Sequence, residues 1–262
     1  MLYLFNEKKF LDIFDSFLII ISTALISCGG GGGGGPVSMD ISGTASSTPS
    51  SSGTTTIAPV EIDASQLSQY LAEQEPNTPA TPFYIKVTSL TTDNYTDIKP
   101  ALIANRDKYV DLSTTILPSG ITNLETCFYD CTTLTKAPVI PNGVTNMERC
   151  FDDCSALVQA PVIPNTVTNM YMCFDECSSL VQAPVIPNSV NNMVTCFLGC
   201  SALTNVRIEA TNSTWGGCFA QCDKNILTIE VTEEIIKTTI LQQDGTGYFI
   251  DENCFCIIQP AS

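Results

Sequence analysis

A segment of 23 residues recurs four times, beginning ITNLETCFYDCTTLTKAPVIPNG at Ile121 and restarting at Val144, Val167 and Val190 with the same Cys-Phe-x-x-Cys core. A unit this short cannot enclose its own apolar side chains, so successive copies must stack and share one elongated core, which predicts a repeat solenoid. The columns of the repeat show what that core contains. Apolar residues recur at Ile121/Val144/Val167/Val190, Leu124/Met147/Met170/Met193, Phe128/Phe151/Phe174/Phe197 and Leu134/Leu157/Leu180/Leu203, with Ile140, Ile163, Ile186 and Ile208 near the segment end. Stacked at a strand spacing of ~4.8 Å, identical residues of this kind form continuous hydrophobic ladders. Asn123, Asn146, Asn169 and Asn192 also recur. An asparagine at a turn bonds its own backbone and the neighbouring rung, so these are read as structural.

The flanks read as ends for the stack, and the whole as one folded body. Residues 64–73 carry Leu67, Tyr70 and Leu71 at helical spacing, with Asp63 or Ser65 as caps, and residues 83–90 alternate as a strand. Residues 97–105 suit a helix with Pro100 in its first turn, and 109–113 alternate again. Together they predict a strand-helix-strand N-terminal cap over residues 60–118, covering the edge that an open solenoid would expose. The repeats occupy 119–222, ending in a fifth Cys-Phe-x-x-Cys at Cys218 and Cys222 that is spaced 22 from its predecessor and preceded by Trp215-Gly216-Gly217. A C-terminal cap is expected over 223–262, with strands at 226–231 and 254–258 and a helix at 232–241 led by Glu233 and Glu234.

Ahead of the folded part, an apolar stretch from Phe17 to Ile26 ends in Leu25-Ile26-Ser27-Cys28 and resembles a bacterial lipoprotein signal peptide. The stretch suits a secretory signal and is short for a membrane span. Its leading segment holds Lys8 and Lys9 but also Glu7, Asp12 and Asp15, so it is not net basic. The resemblance implies removal of residues 1–27 and acylation of Cys28, which would hold the chain at a bilayer by its lipid alone. Residues 28–59 then form a tether: seven glycines from Gly29 to Gly35 precede a Ser/Thr/Pro-rich run to Thr56, too poor in apolar residues to fold.

Charge and residue usage restrict the chemistry. With 27 acidic against 11 basic residues the formal charge is -16, which repels nucleic acid, and no basic cluster offsets it. There is no histidine, so the commonest general base is absent and a non-enzymatic role is expected, without catalytic residues, cofactor or metal. Cysteine is the one candidate for chemistry: Cys28 aside, the 13 include five i,i+4 pairs and a Cys254-Phe255-Cys256 triplet. Candidate disulfide partners are Cys127, Cys131, Cys150, Cys154, Cys173, Cys177, Cys196, Cys200, Cys218, Cys222, Cys254 and Cys256, with the pairing open. An exported chain favours bridges, and an i,i+4 separation on a helical turn permits one. Burial as free thiols, or a zinc thiolate cluster from two adjacent rungs, are the alternatives. Rows of acids at Asp130/Asp153/Glu176 and Asp152/Asp175 have the oxygen chemistry of a Ca²⁺ site, but the rows lapse at Leu198 and Gly199, and a solvated face is the preferred reading.

The motif Cys-Phe-x-x-Cys-x-x-Leu, followed by Ile-Pro and a Val-Thr-Asn-Met turn, resembles the 23-residue leucine-rich repeats of BspA-like (treponemal-type) bacterial surface proteins over roughly residues 109–222. The resemblance implies an α/β-type repeat solenoid: a leucine-rich-repeat arc with short parallel strands on the concave side, short helical or irregular segments on the convex side, and a cap at both ends. Two departures stand out. Cysteines occupy the place before the phenylalanine where the family usually has alanine, and prolines at 138, 161 and 184 interrupt the strand, predicting a narrow, broken sheet. For function the resemblance implies a surface-displayed lipoprotein of the bacterial cell envelope, an adhesion module binding a host extracellular-matrix or cell-surface protein. The alternative is a structural or antigenic coat lipoprotein without a dedicated ligand.

Overall fold

The computed structural model describes residues 58–223 and 225–231, with the backbone alone at 255–258. The expected signal peptide, Cys28, the tether up to residue 57, the 232–241 helix and Cys254 lie outside the described residues.

The N-terminal part is built from two β-α units in succession. Strand β1 (Val60–Asp63) leads through a 3-10 turn into α1 (Leu67–Ala72), and Asp63 caps that turn by accepting the Ser65 amide at 3.0 Å. Strand β2 (Phe83–Thr88) follows, then α2 (Ile98–Ile103) and the two-residue β3 (Val110–Asp111). One more strand is present than the expected strand-helix-strand unit: β1 alternates as Val-Glu-Ile-Asp, but over only four residues, none of them buried, too short a run to read as a strand. All pairings are parallel, in the order β1-β2-β3-β4, where β4 (Leu134–Lys136) already belongs to the first repeat. Leu67, Leu71, Ile85, Val87, Ile98 and Leu102 therefore join the same hydrophobic core as the repeat columns.

Within the repeats the stacked columns are those expected. Phe128, Phe151, Phe174, Phe197 and Phe219 lie face to face at centroid spacings of 5.3, 5.5, 5.5 and 5.7 Å, with ring planes within 6° of parallel. The leucine, methionine, valine and isoleucine columns are buried beside them.

The Cys-Phe-x-x-Cys segments are turns, which corrects the expectation that each cysteine pair shares a helical turn. A left-handed residue precedes the first cysteine at Thr126, Arg149, Met172 and Thr195 (φ 50° to 53°), and another precedes the second at Asp130, Asp153 and Glu176 (φ 55° to 63°). Two such residues four apart break any helix. The amides divide their bonds accordingly. Those of Leu124, Thr126, Phe128 and Asp130 donate to the carbonyls of Asn146, Glu148, Cys150 and Asp152 on the next rung, while those of Cys127, Tyr129 and Cys131 close back three residues within their own. Every second N–H thus ties rung to rung, satisfying the buried backbone without helix or long strand.

On the strand side the sheet is interrupted as the prolines predict. Between β4 and β5 (Asn205–Ile208) the rungs touch through single bridges at Lys136, Gln159, Gln182 and Asn205. Ladder pairing resumes where no such proline stands, in the parallel sheet of β5, β6 (Thr228–Val231) and β7 (Phe255–Ile258).

The asparagine column stitches the turns. Asn146 Nδ2 donates to Asn123 Oδ1 at 3.0 Å and Asn169 Nδ2 to Asn146 Oδ1 at 2.9 Å, while each Oδ1 accepts the amide two residues on, as Asn169 does from Tyr171 at 3.1 Å. Asn169 Nδ2 also reaches Glu148 Oε2 at 3.1 Å. Asn169→Ala is therefore expected to lose about 1–3 kcal/mol in urea unfolding, at roughly 1 kcal/mol per bond. A loss under about 0.5 kcal/mol would mean the ladder is decorative.

Candidate functional site

The cysteines, the expected seat of chemistry, fall into two buried columns: Cys127, Cys150, Cys173, Cys196 and Cys218 before the phenylalanines, and Cys131, Cys154, Cys177, Cys200 and Cys222 after the second turn residue. Those from Cys127 to Cys200 are unbridged thiols, so of the alternatives left open by spacing the structure holds the buried-thiol one. Of Cys256 only its backbone place on β7 is described. The second column has a defined bonding role. The Sγ atoms of Cys154, Cys177, Cys200 and Cys222 donate to the carbonyls of Phe128, Phe151, Phe174 and Phe197 on the preceding rung, each at 3.1 Å. Every such carbonyl already accepts an amide from its own rung, so the thiol fills its second lone pair.

This setting suppresses thiol chemistry. Burial pushes the Cys127 and Cys131 thiols up to about 12, with Lys99 opposing only weakly, and holds Cys150, Cys154, Cys177, Cys196 and Cys200 well above the ordinary value. Nucleophile and metal ligand alike require the thiolate. Among the described residues no three or more Cys, Asp or Glu side chains converge as a metal-holding group, so the zinc and Ca²⁺ arrangements considered from sequence find no geometry here. The acids have separate partners where they have them: Arg106 pairs with Asp130, and Arg149 with Asp152 at 2.7 Å.

The feature suited to binding is on the strand side, in the repeated Ala-Pro-Val-Ile-Pro-Asn. Its alternation turns Ile140, Ile163 and Ile186 into the core and Val139, Val162 and Val185 outwards, Val162 being 86% exposed. The prolines prevent the outward valines from being covered by a regular ladder. Val139 is bonded to the preceding unit through Thr115 and Leu117, at 2.8 and 3.1 Å, whereas Val162 makes no backbone hydrogen bond among the described residues. Two hollows of about 310 and 610 Å³ share Gln159, Ala160, Pro161 and Val162 and run together as one groove across three rungs. Val158 and Val181 add further exposed apolar surface. Lys136 stands at one end and Glu209 at the other, and no charged residue lines the groove between them, in a chain whose net charge is -16.

The sequence had contained this groove. Three copies of the uncharged APVIPN string are visible in it, but proline in that string reads as a ladder-breaker, and an outward valine cannot be told from an inward one until the isoleucine phase is fixed.

Among the described residues no helix is long and apolar enough to cross a membrane. No curated protein matches the chain significantly. Among solved structures it is similar to the pneumococcal vaccine antigen PcpA, at 15% identity and a TM-score of 0.40, over 58% of this chain and 42% of that one. It is also similar to the T. pallidum leucine-rich repeat protein TpLRR, at 19% identity and a TM-score of 0.31, over 58% of this chain and 86% of that one. The chain thus spans less than half the length of the pneumococcal antigen. Residues 124–244 match the family described as BspA type leucine rich repeat region, in six copies. Parallel pairing, rung-to-rung amides and the phenylalanine stack agree with that match, and the repeat array of this chain is a leucine-rich-repeat region of the BspA type.

Proposed function

We propose that this chain is a protein-binding module, displayed on the bacterial cell envelope by an acylated Cys28, whose strand-side groove holds an extracellular-matrix or host cell-surface protein in adhesion. The observation that carries the reading is an apolar groove, uncharged between Lys136 and Glu209, that runs over three rungs of an otherwise acidic chain. Exposed apolar surface on this scale marks interaction sites in soluble proteins. Repetition strengthens the argument, since equivalent valines on successive rungs meet a repetitive or extended partner in several weak contacts at once. Exposed Gln159 and Gln182 beside them offer amide donors and acceptors without introducing charge.

Burying a valine side chain contributes about 1.5 kcal/mol or more, so losing two should weaken binding about 100-fold. The test immobilises a panel of extracellular-matrix proteins and compares the wild-type chain with Val162→Glu/Val185→Glu. Both substitutions are at exposed positions, and thermal unfolding should be unchanged. Retention of the wild type and loss of the double variant support the reading. Equal retention of both would place binding elsewhere, and wild-type silence across the panel would favour a coat protein without a ligand. Metabolic fatty-acid labelling that disappears in Cys28→Ala, with protease sensitivity on intact cells, tests the anchor and its exposure.

A further inference from the structure

One acidic column on the Cys-Phe turns is neutralised at one rung and left bare at the next. Successive rungs place Tyr129, Asp152, Asp175 and Leu198 at the same position of the repeat. Asp152 and Asp175 are almost wholly buried, at 3% and 4% exposure. Asp152 is held by Arg149, three residues before it, and the same guanidinium lies 4.9 Å from the centre of the Tyr129 ring. The residue three before Asp175 is Met172, so the next rung lacks the matching cation. Oδ1 of Asp175 is accordingly buried with no hydrogen-bond partner among the described residues.

The groups facing Asp175 make its ionised form costly. Asp152, Asp153 and Glu176 bear on it as like charges; the nearby cation, Arg149, is already engaged by Asp152, and the Cys200 thiol contributes no charge. Leu198 on the following rung offers no compensation. A buried carboxylate with no cation of its own and only the backbone amide of Glu176 donating to it, one rung from another carboxylate, is strongly disfavoured. With Oδ1 sealed from solvent, a proton is the one cation that enters without parting the rungs.

We propose that Asp175 keeps its proton in the folded array at acid and near-neutral pH, and that its ionisation acts as a pH-sensitive latch between the rungs that carry Phe151 and Phe174. Desolvation, and after it the charge of Asp152, push the Asp175 carboxyl up to about 7, and burial also raises Asp152 despite Arg149. The two titrate as a coupled pair. In the unfolded chain an aspartate ionises near its ordinary value of about 3.9, so between there and about 7 the folded state binds more protons than the unfolded one. The contribution of this site to stability is therefore complete below about pH 4 and declines until about pH 7.

The test follows the side-chain carboxyl resonances of the ¹³C-aspartate-labelled chain from pH 3 to pH 9, in the wild type, Asp175→Asn and Met172→Arg. One wild-type carboxyl should titrate near pH 7 and vanish in Asp175→Asn. Met172→Arg supplies the missing cation and should lower that midpoint by two units or more while reducing the loss of thermal stability between pH 5 and pH 8. The proposal is overturned if every wild-type aspartate titrates below about pH 5.5, if the high midpoint survives in Asp175→Asn, or if Met172→Arg leaves it in place.

Discussion

Truncating Phe174 to alanine should cost about 3–5 kcal/mol and lower the melting temperature by roughly 10 °C, the largest effect expected of any single substitution in the array. Phe174 is fully buried and stacks on both sides, 5.5 Å from Phe151 and 5.5 Å from Phe197. Removing it opens a cavity that neighbouring rungs cannot fill, because each is pinned by its own amide bonds to the next. Coupling distinguishes a ladder from independent buried rings. Phe174→Ala and Phe197→Ala together should deviate from additivity by about 0.5–1.5 kcal/mol, whereas Phe174→Ala with the non-adjacent Phe128→Ala should come closer to additive. Denaturant titrations of the three single and two double variants measure this. Equal coupling for adjacent and distant pairs would contradict nearest-neighbour stacking.

The second large effect is chemical. At pH 8 the Cys127 and Cys131 thiols, pushed up to about 12, hold about 10³-fold less thiolate than an ordinary cysteine, and burial adds a steric barrier to that. Native labelling by iodoacetamide should therefore be slower than that of a free cysteine by at least about 10³-fold from Cys127 to Cys200. In denaturant without reductant the eight cysteines from Cys127 to Cys200 should be alkylated, as mapped by peptide mass spectrometry. Two or more that react only after reduction would show that disulfides form in the array. Cys177→Ser should be tolerated better than Cys177→Val, because serine retains a donor for the Phe151 carbonyl.

Much of this architecture was legible because a 23-residue period reduces a fold to columns. The phenylalanine, leucine and asparagine columns, the stacking and the breaks at Pro138, Pro161 and Pro184 all follow from period and residue type, and each is present. The turn conformation was not legible. Left-handed backbone at Thr126, Arg149, Met172 and Thr195 is imposed by the stack on residues that ordinarily avoid it. Glycine enters only late in the array, at Gly217 in the place of Thr195 and at Gly199 in the place of Glu176, and these two were the one signal available. The cysteines illustrate the same limit. Spacing alone placed each pair on one helical turn, within reach of a bridge, whereas the intervening left-handed residue sends the two sulfurs into separate columns. The binding groove was hidden for a different reason: its valines are ordinary β-formers, and only the orientation of the neighbouring isoleucines makes them surface.

Everything proposed for groove and latch depends on rungs being joined to one another through alternate amides of the Cys-Phe turns. Native-state hydrogen exchange reads those amides directly. The N–H groups of Phe151, Asp153, Phe174 and Glu176, which donate to Cys173, Asp175, Cys196 and Leu198, should exchange only with cooperative unfolding of the array and with similar free energies. Exchange of these amides within seconds at neutral pH, while the β1–β4 sheet stays protected, would show that the rungs are not bonded to each other and would contradict the account.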